Sequence, residues 1–271
     1  MKNLLDVRFF LLDMDGTFYL GNKLIPGALE FLQILKDTNR DFVFLTNNSS
    51  KNKFTYKQKL SKLGCNICEE KVFTSGEAAV IYLKNKKSNA KIFLMGTPSL
   101  EEEFMQNGFT VIKDRSETPD YVVLGFDTTL TYEKIWIACD LIREGIPYIA
   151  THPDFNCPIE NKKYMPDTGA MIKLFEAATG RLPLIIGKPY KYIIDSVMQK
   201  YRINKEELAI VGDRLYTDIA TGVNSGITSI LVFTGETSEE MYKKSNIKAD
   251  YVFSSIKDLG NSISNLNLKI C

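Results

Sequence analysis

The chain is poor in residues that carry many kinds of chemistry. It has a single histidine, His152, and a single tryptophan in 271 residues, which excludes a multi-histidine metal centre. Its five cysteines are odd in number and irregularly spaced, which argues against a disulfide framework. Cys65 and Cys68 form the one C-x-x-C pair, and they follow Gly64, where the preceding helix is expected to end; the pair reads as structural rather than as a redox or zinc motif. No apolar run approaches the ~18 residues of a membrane span. Asp6, Arg8, Asp13 and Asp15 interrupt the N-terminal apolar region, which is unlike a signal peptide. Neither sign of charge dominates: 34 basic against 33 acidic residues give a net charge of +1, too little for a broad nucleic-acid footprint. Repeats and low-complexity segments are absent. The expectation is a cytoplasmic globular protein with no nucleic-acid or membrane partner.

What is present is an alternation of short apolar strands with helix-length amphipathic segments, the pattern of an α/β fold. Phe9-Phe10-Leu11-Leu12 reads as a strand buried on both faces, as in a parallel sheet. It stops on Asp13-Met14-Asp15-Gly16-Thr17. Residues two apart on a strand point the same way, so Asp13 and Asp15 can face one site from its end. Two carboxylates placed together repel and lose hydration unless a cation or a shared proton compensates. Thr46 and Asn47, then Lys188, then Asp213 likewise follow apolar strands. Ligands bind outside the carboxyl ends of parallel strands near a topological switch point, so four distant segments converge on one place.

These segments resemble the four motifs of the haloacid dehalogenase (HAD) superfamily phosphatases. Asp13-Met14-Asp15-Gly16-Thr17 matches the D-x-D-G-T nucleophile motif, Thr46-Asn47 the second, Gly187-Lys188-Pro189 the third, and Gly212-Asp213-Arg214-Leu215-Tyr216-Thr217-Asp218 the fourth. The insert between the second and third motifs occupies the place of a C2-type cap. Together they resemble the class IIA, NagD-like or para-nitrophenylphosphatase, branch. The resemblance implies a Rossmann-like doubly wound parallel-sheet core in two parts, residues 1–77 and 185–271, with an inserted α/β cap at 78–184. Tyr216 stands where many members carry Asp, His152 where they carry Asn, and Asp167 where a small residue is common.

The resemblance implies a phosphomonoesterase. Asp13 would form an aspartyl-phosphate and Asp15 would serve as general acid and base. Mg2+ would be held by Asp13, the Asp15 carbonyl and Asp213, and Lys188 would charge-stabilise the phosphate and orient Asp13. Gly16, Thr46 and the Asn47 backbone would bind phosphate. Asn48 either orients these groups or caps a turn, and Asp218 either holds Lys188 or favours the start of the next helix. In the insert, Thr151-His152-Pro153-Asp154 follows a strand as a candidate substrate-facing loop, where His152 and Asp154 either contact the leaving group or are simply solvated. Nucleoside monophosphates, sugar phosphates, phosphoglycolate, pyridoxal phosphate and para-nitrophenyl phosphate all suit the class, and the family pattern implies a homodimer through the cap. The rival readings are a receiver-like aspartate phosphoacceptor, a non-catalytic binding protein on this fold and, last, a dehalogenase.

Overall fold

The structure is a computed structural model that describes residues 2–159 and 163–268. It divides into two compact units. The first takes the described residues of Met1–Thr46, Lys53–Phe73 and Lys188–Cys271. The second takes Asn47–Asn52 and Thr74–Gly187, and so includes a short segment after Thr46 that the sequence reading gives to the core.

The first unit is built on a six-stranded sheet. Its order is Tyr251–Phe253, Thr228–Val232, Leu208–Gly212, Phe9–Leu12, Asp41–Thr46, Val72–Thr74. The strand Phe9–Leu12 lies parallel to both neighbours, with Leu12 opposite Val211 on one side and Phe44 on the other. From this first strand the chain adds strands outward in one direction, then returns and adds the remainder in the other. The order therefore reverses between Phe9–Leu12 and Leu208–Gly212, the crevice where a doubly wound sheet binds its ligand. The apolar runs FFLL, LAIVG and TSILV are buried along their whole lengths, as helix-covered parallel strands require. Phe10, Phe31, Phe44, Leu12 and Val211 form the core, and Phe10 meets Phe31 edge-on at 5.9 Å. An antiparallel hairpin, Tyr19–Leu20 with Lys23–Leu24, rises just beyond Asp15.

The second unit repeats the principle on a five-stranded parallel sheet, in the order Leu184–Ile185, Tyr148–Ala150, Tyr121–Leu124, Lys91–Met95, Thr110–Ile112. Its own core gathers Phe93, Val122, Ile137, Ile142 and Phe175. Helices Pro98–Gln106 and Tyr132–Arg143 begin on threonine caps, with Thr97 accepting from the Leu100 amide and Thr131 from the Lys134 amide. Among the described residues, Cys65, Cys68, Cys139 and Cys157 are free thiols, and no helix is long and apolar enough to cross a membrane.

Candidate active site

In the first unit, Asp13 follows the last residue of its strand, and its amide still donates to the Val211 carbonyl at 2.9 Å, which extends the ladder by one residue. Asp213 follows the adjacent strand, so the switch point itself sets the two carboxylates side by side. Lys188, buried at 3% exposure, donates to Asp13 Oδ1 and to Asp218 Oδ1, each at 2.6 Å. It also reaches the Leu45 carbonyl at 3.4 Å. Of the two readings of Asp218, the side chain therefore takes the one in which it holds Lys188; its other oxygen accepts from the Arg214 amide at 3.3 Å. Asp218 gets there because the chain leaves Asp213 through a π-helical turn, Leu215–Ile219, of a kind common at functional sites.

Asp13, Asp213 and Asp218 bring one carboxylate oxygen each within 4.8 Å of one another, all three buried. Burial pushes the Asp13 carboxyl up to about 7; Lys188 pulls it down, and Asp218 and Asp213 push it further up. Burial likewise raises Asp213 to about 6, with Asp218 adding to the rise and the Glu236 amide, Arg214 and Thr17 opposing it. Burial works against the charge on Lys188, but Asp13 and Asp218 outweigh it and hold the ammonium above its ordinary range. Asp13 and Asp218 share the Lys188 ammonium, while Asp213 lies beside Arg214, which is itself paired with Glu236, so carboxylates outnumber cations in this low-dielectric site. An all-oxygen cluster of this kind fits a hard divalent cation, and phosphatases of this type are metal-dependent.

Two glycines make the cluster fit. Gly16 has φ of 90°, a left-handed conformation, and a Cβ there would lie 2.5 Å from Asp213 Oδ2. At Gly235 the same atom would lie 2.0 Å away. Asp213 is fixed on both sides: Thr17 Oγ1 donates to Oδ1 at 3.2 Å and the Glu236 amide to Oδ2 at 2.7 Å. The Glu236 carboxylate then accepts from the Tyr216 hydroxyl at 3.0 Å and pairs with Arg214 Nε at 3.1 Å. Neither Thr17 nor Glu236 was assigned a role from the sequence. Thr17 belongs to the D-x-D-G-T run, but the only signal for Glu236 is its place just beyond a buried strand. Asp15 is half-buried, with its oxygen 3.5 Å from the Gly21 amide. Thr46 ends its strand as a buried residue.

The insert residues differ most from the sequence reading. His152 is not on a solvated loop: it is 0% exposed. Its strand, Tyr148–Ala150, lies inside the sheet between two neighbours, and the chain beyond it passes under the start of helix Thr168–Thr179. Gly169 permits that approach, since a Cβ there would lie 2.2 Å from the Pro153 carbonyl oxygen. His152 Nε2 is 3.0 Å from Thr168 Oγ1 and 3.5 Å from Asp167; Nδ1 is 3.5 Å from Asp154. Asp167 caps the helix by accepting from the Thr168 amide, and burial raises its carboxyl while His152 lowers it. Asp154 is not a solvated acid either: both its oxygens accept from Asn47 Nδ2, at 3.2 and 3.1 Å. The Asn47 carbonyl accepts from the Ser75 hydroxyl. Asn48 Oδ1 accepts from the Ser50 amide at 2.9 Å and hydroxyl at 2.8 Å, and its Nδ2 lies 3.8 Å from Cys157 Sγ.

A lysine clamped between two aspartates stands at the switch point of a parallel sheet, where such folds bind their ligands, and comparison with known proteins shows the class to be HAD-type phosphatases. Residues 10–110 match the model of the haloacid dehalogenase-like hydrolases, and residues 185–259 match a second HAD-hydrolase-like model. The chain is 36% identical over 266 residues to an acid sugar phosphatase of Staphylococcus haemolyticus, covering 98% of each protein. It is 35% identical to the 5'-nucleotidase YutF of Bacillus subtilis, covering 85% of this chain and 89% of that one. The crystal structure of a 4-nitrophenylphosphatase from Thermotoga maritima superposes with a TM-score of 0.90 at 46% identity, covering 96% of this chain and 99% of that one. The protein belongs to the HAD-like hydrolases, in their NagD-like branch.

Proposed function

We propose that the chain is a Mg2+-dependent phosphomonoesterase of small phosphorylated metabolites that works through an aspartyl-phosphate on Asp13. The observation that carries this reading is the Lys188 ammonium, 2.6 Å from both Asp13 and Asp218. Lys188 holds one Asp13 oxygen, which leaves the other free to point at phosphorus, and its charge favours the carboxylate form that attack requires. A Mg2+ ion held by Asp13, Asp213 and the Asp15 carbonyl would supply the positive charge that lets an anionic nucleophile meet an anionic ester.

In the first half-reaction an Asp13 oxygen bonds to phosphorus as the ester P–O bond breaks, and Asp15 protonates the departing oxygen. In the second, Asp15 takes a proton from water as that water attacks phosphorus; the acyl-phosphate P–O bond breaks and Asp13 regains its carboxylate. The Thr46 hydroxyl and the amides around Gly16 and Asn47 are the candidate donors to the phosphate oxygens. Asp15 beside Asp13 favours turnover over a receiver-type phosphoacceptor, which would keep its phosphoryl group.

The inserted unit is the candidate for leaving-group selection, with Asp154 holding Asn47 from behind and His152 bracing Asp154 rather than touching the substrate. Sugar phosphates and nucleoside monophosphates are the first classes to test, because the relatives are named for both. The test is phosphate release from a panel of phosphomonoesters, with Mg2+ and then with chelator. Metal-dependent release that ranks one of these classes first supports the reading. Undiminished release after chelation contradicts it.

A further inference from the structure

The first unit carries a second concave site, at the end of the sheet opposite Asp13. It is a cavity of about 600 Å3 at the N-terminal ends of strands Phe9–Leu12 and Asp41–Thr46, within the size range of small-molecule sites. Arg8, Lys36, Arg40 and Lys71 line it, against one carboxylate, Asp41, which Lys71 already engages. Arg8 and Lys36 thus stand beside the buried Arg40 around one hollow in a chain whose net charge is only +1. Among the described residues, neither Arg8 nor Lys36 has a carboxylate partner.

Arg40 is the least ordinary of the set, because it is 6% exposed. Its Nε donates to the Val7 carbonyl at 3.0 Å and its Nη1 to the Thr38 carbonyl at 3.3 Å, so the guanidinium is held in place beneath the cavity. Burial, and then repulsion from Arg8, weakens its hold on its proton. Arg8 and Lys36, with no carboxylate of their own among the described residues, give the hollow a positive potential that attracts an anion. Leu32, Phe42 and Ile67 supply an apolar wall beside the cations. Such a mixture suits a ligand with an anionic head and an apolar body, and guanidinium groups match phosphate oxygens in fork geometry.

We propose that this cavity is a non-catalytic binding site for a small organic phosphate, with its dianionic head against Arg8, Lys36 and Arg40 and its body along Leu32, Phe42 and Ile67. Hydrolysis has no agent there, because Asp13 and its partners lie past the other end of the strands.

Phenylphosphonate is a suitable probe, since its C–P bond resists a phosphomonoesterase. Titrated calorimetrically into the full chain with Mg2+ present, it should fill two sites, the catalytic one and this cavity. Arg8→Glu and Lys36→Glu alter exposed side chains outside the catalytic machinery, and each should weaken the second site by about tenfold or more. Competitive inhibition of turnover by the probe, which reports the catalytic site, should be unchanged in both. Lys243→Glu changes net charge equally on a distant helix and should retain both sites. A single site in the unaltered protein, two undiminished sites in Arg8→Glu and Lys36→Glu, or equal weakening by Lys243→Glu would each overturn the proposal.

Discussion

Removing the Lys188 ammonium would leave Asp13 and Asp218 buried against each other without their shared counter-charge. Lys188→Met should therefore lower stability by about 3 kcal/mol, read from denaturant unfolding of the metal-free protein, besides ending turnover. An unchanged midpoint would show that the pair is structurally idle. Asp13→Asn keeps shape and a hydrogen-bond acceptor but removes the nucleophile. It should cut turnover by ~10^3-fold or more while leaving the unfolding transition in place. Glu236 acts through its neighbours. Glu236→Ala would release Arg214 and Tyr216 and loosen the loop whose amide fixes Asp213, and losses of this kind weaken metal binding by about tenfold. Calorimetric Mg2+ titration reads this directly, and an unaltered Mg2+ affinity would separate Glu236 from the metal site. Tyr216 belongs here too. Its hydroxyl donates to Glu236, which brings a carboxylate to it from another loop.

At the scale of elements, the buried strands were the legible part. FFLL, FVFL, LAIVG and TSILV are apolar throughout because helices cover both faces of a parallel sheet, and the polar residues beyond them mark the carboxyl ends. The antiparallel pairs Tyr19–Leu20 with Lys23–Leu24 and Asn156–Ile159 with Lys163–Pro166 carried no comparable signal, being short and largely exposed. The burial of His152 was not legible in the sequence, for a physical reason. Thr-His-Pro-Asp has the composition of a surface loop, and only the tertiary packing of helix Thr168–Thr179 over it makes it interior. His152→Ala should consequently destabilise the inserted unit by about 2–3 kcal/mol, because Asp154, Asp167 and Thr168 lose the imidazole between them. A thermal-unfolding midpoint equal to that of the unaltered protein would return His152 to a role at the surface of the substrate.

At the scale of the whole molecule, the acidic cluster ties stability to pH and metal. Asp13 and Asp213 have folded-state pKa values of about 7 and about 6, above the 3.8 of a free carboxyl. The metal-free folded state therefore holds more protons than the unfolded chain between about pH 4 and pH 7. Its extra stability is fully present below that window and is lost as pH rises through the folded values. A bound cation favours the ionised carboxylates, so stabilisation by Mg2+ should be small near pH 4.5 and grow toward pH 8. Melting curves with and without Mg2+ across this range test it; a shift independent of pH would mean that the ion binds elsewhere. The sequence could place the four chemical segments because each sits at a strand end. It could not show how Asp13 and Asp218 share one ammonium, because that depends on residues up to 175 positions apart.

In the proposed mechanism the phosphoryl group passes through Asp13. Borohydride reduces an acyl phosphate to the alcohol, so trapping during turnover with Mg2+ and a phosphomonoester should leave homoserine at position 13, located by peptide mass. Modification at another residue, or none while phosphate is being released, would contradict the account.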